Sequence, residues 1–414
     1  MRAMRALWTV VLLLGLSMGT ASATNLKFIV PSSATSESNR LFVELVRDFQ
    51  RLTPDVTVTV VKTSDYDEVI GLVLRETAAG RGAGVFVAEL STTLELQAAG
   101  AITPLDEAMG PQFPAFKASL VDSFLGNSRA GGRFLSAPYF RSMPVAFYNL
   151  EALAEVGVGA EALPASWGEF EKLLERLKEK KGKPPFILGA DWYDWLFEAL
   201  AATTGSGLKS QEGSTPALDS PGAVETLRFL ERQQKNGLMV RSPSWKGTIN
   251  AFSSGRYPVA FYSSGGAGTV EGNAHFPWTI SFIPRQSGKS VPVGGGNMFL
   301  SSHLPADEQA AAIRFISFLY SPAAQAKLSE ATGYFPVTRA AFDEPQMVKR
   351  YRGTDAYGRM HANLPNATAK LMTVDNLKVR AVVKAAIDRT LNDGVPAEAS
   401  LAQAQRAVED ILRR

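Results

Sequence analysis

The sequence predicts an α/β protein with two lobes. The chain has 414 residues, whereas a single domain of ordinary size holds roughly 100–200. After residue 24 the pattern alternates short apolar strands with amphipathic helices, joined by short polar connections. Strand–helix–strand–helix order of this kind is typical of a parallel sheet covered by helices on both faces. Two such units fit the length of the chain.

The first part of the chain carries the clearest alternation. Strands are predicted at 26–30, 56–60 and 85–88, with helices at 41–52, 66–79 and 91–99 between and after them. In parallel sheets, ligands bind beyond the carboxyl ends of the strands. Glu89 follows the third strand and Tyr66 opens a helix just after the second, so both are candidate ligand contacts.

The middle and last thirds of the chain contain further helices with clear boundaries. Ser166 and Glu169 form a capping box at a helix start. A loop-to-helix junction carries the aromatic side chains of Trp192 and Trp195. The last third is helical, with Arg380 in a segment predicted over 377–391 and a closing amphipathic helix over 397–412.

Glycine and hydroxyl clusters organise the segment from residue 262 to residue 342. A Ser/Gly turn spans 262–266, a second glycine cluster lies in 293–300, and a Thr-Gly-Tyr-Phe-Pro turn begins at residue 332. Such clusters expose backbone N–H groups, and here they recur beside aromatic residues. The combination suits capture of a small polar ligand, especially an anion.

The N-terminus predicts export. Arg2 and Arg5 precede an apolar run over 7–16, and Ala21-Ser22-Ala23 is a small-residue cleavage site. We therefore expect a signal peptide over 1–23 and a mature chain from Thr24. The chain has no cysteine, which removes disulfides, thiolate sites and a lipid-modified cysteine. The expected location is the periplasm, without a lipid anchor.

Composition and motifs favour a binding protein over an enzyme. The formal charge is +3 with no long basic run, so neither nucleic acid nor a membrane surface is an expected partner. Lys289 ends a P-loop-like stretch, but Ile283 stands where that motif needs glycine. No G-x-S-x-G elbow occurs, and the three histidines are scattered. We expect no catalytic residue, metal or cofactor.

The order of these pieces, from about Asn25 to the C-terminus, resembles family 1 solute-binding proteins of ABC importers. Within that family it is similar to the branch that binds glycerol-3-phosphate. The resemblance implies a two-lobe periplasmic-binding-protein fold of type II, maltose-binding-protein-like, with the ligand cleft between the lobes. It places 24–138 and 276–320 in the first lobe, and 139–275 and 321–414 in the second. Hinge closure around the ligand is the implied motion.

The resemblance also implies a ligand site, carried over position by position. A guanidinium, hydroxyls and backbone amides suit a phosphate, a carboxylate suits glycerol hydroxyls, and aromatic faces exclude water. Arg141, just before the matched serine, could add a second positive charge. The implied ligand-binding residues are Tyr66, Glu89, Ser142, Trp192, Trp195, Ser264, Gly295, Tyr334 and Arg380.

Structural roles remain open for the same residues. Arg380 could pair with a protein carboxylate, and Glu89 could cap the helix that follows it. The tyrosines could serve packing, one of the two tryptophans could lie in the core, and Ser263 and Ser264 could cap a helix. The glycine cluster could exist only for close backbone contact.

Three functions are consistent with these observations. The resemblance implies capture of glycerol-3-phosphate or a glycerophosphodiester such as glycerophosphocholine, by a monomer that delivers it to a membrane permease without catalysis. A maltose- or trehalose-like oligosaccharide is the nearer alternative, in which case Arg380 would pair with a protein carboxylate. A secreted hydrolase of phosphodiesters or glycosides is the more distant alternative, and it would need a metal or a carboxylate pair.

Overall fold

The computed structural model describes residues 23–31, 38–189, 193–208, 216–288, 291–353 and 355–413. Residues 1–22 of the predicted signal peptide lie outside this set. The strands are β1 Thr24–Pro31, β2 Val56–Thr63, β3 Val85–Glu89, β4 Ile102–Thr103, β5 Arg129–Ala130, β6 Arg133–Phe134, β7 Ala137–Pro138, β8 Pro144–Asn149, β9 Phe186–Gly189, β10 Met239–Ser242, β11 Val259–Ser263, β12 Trp278–Phe282, β13 Val291–Pro292, β14 Gly296–Ser301 and β15 Ala367–Thr368.

Helices connect and flank these strands. They are α1 Ser38–Leu52, α2 Tyr66–Ala78, α3 Thr93–Ala98, α4 Leu105–Met109, α5 Phe113–Ser119, α6 Leu150–Ala154, α7 Trp167–Lys181, α8 Tyr193–Ala202, α9 Pro221–Lys235, α10 Trp245–Ser253, α11 Ala267–Asn273, α12 Ala306–Leu319, α13 Pro322–Thr332, α14 Pro345–Tyr351, α15 Ala356–Ala362, α16 Asn376–Asp393 and α17 Ala397–Leu412. In the part of the chain that the structure describes, no helix is both long and apolar enough to cross a membrane.

The first sheet is built mainly from the start of the chain. Its order is β2-β1-β3-β14-β4, and β7 also pairs with β14. The pairs β1–β2 and β1–β3 are parallel, as the strand–helix alternation predicts, whereas β14 runs antiparallel to β3. The pairing of β14 with β3 is the contact that brings the late glycine cluster next to the early part of the chain.

The second sheet has the order β10-β9-β11-β8-β12. Here β9 is parallel to both β10 and β11, and β8 is antiparallel to β11 and β12. The end of the chain covers this sheet, because apolar side chains of α16 and α17 share a buried cluster with α7, α8 and α9. Val383, Ile387 and Leu401 are members of that cluster.

Sheet membership corrects one boundary of the predicted lobes. Residues 278–282, which the sequence analysis placed in the first lobe, form β12 beside β8 in the second sheet. The β12 strand contributes Ile280 to the core there and completes the sheet edge. Helix α13, placed in the second lobe, packs against both α1 and α11. The rest of the division stays a prediction.

The segment between β7 and β8 crosses from one sheet to the other and is held by Arg141. The Arg141 side chain is completely buried. It donates hydrogen bonds to the carbonyl oxygens of Phe140 and Gly296, both at 2.8 Å, and to the side chain of Asn297. Burial lowers the pKa of Arg141 to about 10. Arg141 therefore binds backbone carbonyls where the chain changes sheets.

Gly295 allows the late glycine cluster to approach this crossing segment closely. Its φ is +106°, a conformation that residues with a side chain rarely adopt. A methyl group at Gly295 would lie 2.3 Å from the carbonyl oxygen of Phe140. The position therefore needs glycine for two separate reasons, its backbone conformation and the absence of space.

Gly295→Ala should lower stability more than an alanine at a glycine with positive φ in open space. Gly394 is such a control, with φ +69° and no neighbouring atom within 4 Å of the place that a methyl group would take. The conformation alone costs about 1–2 kcal/mol, and the overlap at residue 295 should add roughly 1–3 kcal/mol. Urea unfolding of both variants measures the difference, and equal losses would contradict the steric argument.

Candidate functional site

The glycine cluster at 294–296 lies at the centre of the candidate site. A methyl group on Gly294 would lie 2.5 Å from the ring of Trp195, and one on Gly296 would lie 3.0 Å from the ring of Tyr66. Gly296 also pairs with Glu89 across the first sheet. The cluster thus brings an aromatic residue of α8, which covers the second sheet, close to residues at the carboxyl ends of strands in the first sheet.

Tyr66 and Tyr334 meet beside this cluster. Both rings are buried, and their side chains interact with each other. The Tyr334 ring stacks on Phe140 with a centroid distance of 4.8 Å and lies against Gly265. Burial raises the pKa of Tyr334 to about 12, so its hydroxyl keeps its proton and can donate a hydrogen bond at neutral pH.

Glu89 combines a structural role with a position in the site. One carboxylate oxygen accepts a hydrogen bond from the backbone N–H of Ser91 at 2.9 Å, which caps the turn that follows β3. The other oxygen lies 3.3 Å from the ammonium nitrogen of Lys370. The capping interpretation of Glu89 is therefore confirmed, and the residue also belongs to a buried ion pair.

A chain of buried charges continues from Glu89 across the site. Lys370 Nζ lies 3.2 Å from Oδ2 of Asp194, and the same oxygen accepts a hydrogen bond from Nε of Arg380 at 3.1 Å. Arg380 also pairs with Asp67, at 3.3 Å. The side chains of Lys370 and Asp194 are 3% and 5% exposed, whereas that of Asp67 is 62% exposed. Charges from four separate parts of the chain thus meet in the interior.

The pKa shifts show that these groups stabilise one another as ions. Burial alone would raise the pKa of Asp194, but the charges of Lys370 and Arg380 hold it below its usual value. Burial alone would lower the pKa of Lys370, yet the carboxylates of Glu89 and Asp194 raise it above its usual value. Opposite charges therefore outweigh desolvation on both sides of the pair.

The backbone around Lys370 is held from two sides. Lys370 exchanges two hydrogen bonds with the side chain of Asn127, at 2.8 and 2.9 Å. The N–H of Leu371 donates to the carboxylate of Glu198 on α8, at 2.6 Å. Asn127 is in turn bound through its carbonyl oxygen to Asn297 on β14. This fixed backbone accounts for the precise placement of a long, flexible lysine side chain.

Ser142 and Ser264 join the crossing segment to the second half of the site through the backbone. Ser142 forms an antiparallel bridge with Gly294, with N–H···O distances of 3.2 and 2.9 Å. The hydroxyl of Ser264 accepts a hydrogen bond from the N–H of Met143 at 3.0 Å. Ser263, not Ser264, caps the short turn at 264–266. Both predicted serines are buried at the junction.

Aromatic side chains form one wall of the site. Trp195 donates its indole N–H to the carbonyl oxygen of Pro292 at 3.0 Å. Its ring lies 6.2 Å from that of Trp245, which stacks on Tyr262 at 3.9 Å. Trp245 is half-buried, whereas Trp195 is 4% exposed. The wall therefore extends from the glycine cluster toward α10.

The structure brings together eight of the nine predicted site residues, and Trp192 lies outside the described residues. Their roles in ligand binding stay predictions. Sequence reasoning missed Lys370, Asp194 and Trp245. Asp194 could have been noticed as a carboxylate between two tryptophans, but no motif surrounds Lys370 or Trp245. Within the described ranges, no group of three or more His, Asp or Glu could hold a metal ion.

Comparison with known proteins establishes the family. The family model for bacterial extracellular solute-binding proteins matches residues 44–353, and this chain belongs to that family. The sn-glycerol-3-phosphate-binding periplasmic protein UgpB of Escherichia coli is 23% identical over 426 residues, covering 97% of this chain and 96% of its own. UgpB of Brucella abortus is 25% identical over 324 residues, covering 75% and 74%. These relatives are described as binding proteins, not enzymes.

Solved structures of similar proteins confirm the two-lobe, maltose-binding-protein-like fold. UgpB of Mycobacterium tuberculosis, in complex with glycerophosphocholine, has a TM-score of 0.83 at 23% identity and covers 93% of this chain and 98% of its own. The GacH receptor of Streptomyces glaucescens, solved without ligand and with acarbose, has a TM-score of 0.81 at 17% identity and covers 94% and 99%. One fold therefore serves relatives with a phosphodiester and with a sugar analogue.

Lys370→Met should destabilise the protein strongly. Removing the ammonium leaves Glu89 and Asp194 with less compensation in the interior, which typically costs about 3–5 kcal/mol. Lys235→Met removes a lysine from an exposed pair with Glu231 on α9, where the two side chains are 67% and 19% exposed. That control should cost at most about 1 kcal/mol. Urea unfolding at pH 7 compares the two variants.

The pH dependence of the same measurement provides a second check. The raised pKa of Lys370 means that its contribution is complete below about 10.4, the pKa in the unfolded chain, and is lost as pH rises through the folded value. The lowered pKa of Asp194 means that its contribution is lost as pH falls below about 3.9 and through the folded value. The deficit of Lys370→Met should shrink on acidification, because Asp194 can then bind a proton. A deficit that grows toward low pH would contradict the assignment.

Proposed function

We propose that this protein is the periplasmic solute-binding component of an ABC importer, and that it captures glycerol-3-phosphate or a glycerophosphodiester such as glycerophosphocholine. The observation that carries the proposal is the convergence of residues that are far apart in the sequence. Tyr66 and Glu89 come from the first part of the chain, Trp195 and Ser264 from the middle, and Arg380 from α16, yet contacts connect them at one inter-lobe junction.

The chemistry of the junction supports a small polyol ester as ligand. Arg380 and Lys370 supply cationic donors of the kind that bind phosphate oxygens. Glu89 and Asp194 supply carboxylate acceptors for hydroxyl groups, and the rings of Trp195 and Tyr334 supply apolar surface for C–H groups. The relatives named for sn-glycerol-3-phosphate and the neighbour bound to glycerophosphocholine agree with this ligand class.

An oligosaccharide is a second candidate, and one observation favours it. Arg380 is paired with the protein carboxylates of Asp194 and Asp67, which is the arrangement expected if the guanidinium positions other groups and does not bind phosphate directly. Carboxylates beside tryptophan and tyrosine rings are also suited to sugar hydroxyls and ring faces. The acarbose-binding neighbour shows that this fold accommodates such ligands.

The proposed role requires no chemical step. Ligand binding would hold the lobes in the closed relation, and a membrane permease would recognise that closed form because it presents both lobes together. A monomer suffices for this role, since both walls of the site come from one chain.

A thermal-shift and calorimetric screen of the chain from residue 24 tests the proposal. The panel holds glycerol-3-phosphate, glycerophosphocholine, inorganic phosphate, maltose and trehalose. Ligand well above its dissociation constant should raise the melting temperature by mass action. We expect a shift with one or both glycerol phosphates. A shift with sugars alone would replace the leading ligand class by the second candidate, and no shift with any compound would contradict both.

Arg380→Ala should weaken binding of the glycerol phosphates by roughly 10- to 100-fold, as expected for loss of hydrogen bonds to a charged group. Arg389→Ala is the matched control, because Arg389 lies on the same helix and donates to the carbonyl oxygen of Ser400 instead. Isothermal titration of both variants, each checked for native circular dichroism, gives the comparison. Equal affinities in the two variants would remove Arg380 from the proposed site.

A further inference from the structure

Asp194 has an unused acceptor at the centre of the buried charges. Its Oδ2 atom serves both Lys370 and Arg380. Its Oδ1 atom is buried and has no hydrogen-bond partner among the described residues. An unpaired carboxylate oxygen in the interior is costly, so the site favours a ligand that donates a hydrogen bond at this position. Hydroxyl groups are donors of this kind.

Among the described residues, the buried charges around Asp194 balance one another. The buried carboxylates are Glu89, Asp194 and Glu198, at 1%, 4% and 4% exposure. Facing them are Lys370 at 4%, Arg141 at 0%, and Arg380, whose side chain is 11% exposed. Glu198 acts electrostatically on Lys370, and Glu89 does so on Arg141. Asp67 adds one more negative charge, at the solvent-exposed side.

We propose that Asp194 is a specificity-determining residue, which selects ligands that carry hydroxyl groups and at most one negative charge and disfavours phosphate monoester dianions. The inference rests on the proposed function and narrows its ligand class. A dianion would bring two uncompensated charges into a buried site in which Lys370 and Arg380 already have carboxylate partners and Arg141 is bound by backbone carbonyls. Such charges are expensive to bury. A phosphodiester brings one uncompensated negative charge. A phosphodiester whose ester group carries a cation has no net charge, and a neutral sugar has no charge at all.

Two ligands that share a glycerol phosphate test the charge rule. Glycerophosphocholine has no group that titrates between pH 5 and 8, whereas the second ionisation of a phosphate monoester has a pKa near 6. At pH 7.5 the wild-type protein should bind glycerophosphocholine more tightly than glycerol-3-phosphate by about tenfold or more. At pH 5.5 that ratio should fall, because the monoester is then mostly a monoanion. Binding of maltose is measured in parallel, because maltose carries hydroxyl groups without a phosphate and so tests whether a neutral polyol is also a ligand.

Substitutions at residue 194 separate the effect of its negative charge on binding from the effect of its hydrogen-bond acceptor. Asp194→Asn removes one negative charge at nearly constant shape, so the ratio of the two affinities at pH 7.5 should shift toward glycerol-3-phosphate by about tenfold. Asp194→Glu keeps the charge but moves the oxygen atoms, so both ligands should bind more weakly while the preference is retained. Asp67→Asn removes an exposed carboxylate that pairs with the same guanidinium, that of Arg380. It should therefore shift the ratio of the two affinities much less.

The outcomes distinguish this inference from the proposed function. Tight binding of glycerol-3-phosphate at pH 7.5 that weakens at pH 5.5, or an Asp194→Asn ratio equal to that of Asp67→Asn, would overturn the role of Asp194 while leaving the proposed function intact. If Asp194→Asn does not fold, the pH series on the wild-type protein and the Asp194→Glu variant still decide the question. Failure of the wild-type protein to bind any phosphate ester or sugar would overturn the proposed function itself.

Discussion

The ion pairs of Lys370 with Glu89 and Asp194 are the interaction on which the arrangement of the site depends. They place one ammonium group between the carboxyl end of β3 in the first sheet and α8, the helix that covers the second sheet. Because all three side chains are buried, none of them can exchange its partner for water at small cost. The positions of Arg380, of the Glu89 cap and of the α8 N-terminus are all tied to this contact.

Local pattern was sufficient to predict much of the fold. The helix that begins at Tyr66, the capping box at Ser166 and the closing helix over 397–412 all appear as predicted, because each depends on neighbours in sequence. The predicted lobe of residues 278–282, which form β12, was wrong for the opposite reason. The pairing of β12 with β8 joins residues about 130 positions apart, and an alternating segment of five residues does not indicate which sheet it will join.

The site shows the same division between local and distant information. The family resemblance implied the eight predicted residues that the structure brings together, and glycine clusters, aromatic junctions and strand ends mark several of them in the sequence. No such feature marks Lys370. Its environment is produced by Asn127, Glu89 and Asp194, which are distant in sequence, and a lone lysine in a loop is otherwise a typical exposed residue. Family membership explains the framework, whereas the balance of buried charge depends on side chains that are distant in sequence.

The anchoring of Lys370 and Leu371 to different partners has a mechanical consequence. Lys370 is bonded through its backbone to Asn127, which is attached to β14 of the first sheet, and Leu371 is bonded to Glu198 on α8 beside the second. The few backbone torsions between these two anchors therefore form a pivot between the two sheets. Rotation there would let the two halves of the molecule separate while each anchor stays attached, and the side chains of Lys370 and Arg380 would then each have to release a partner.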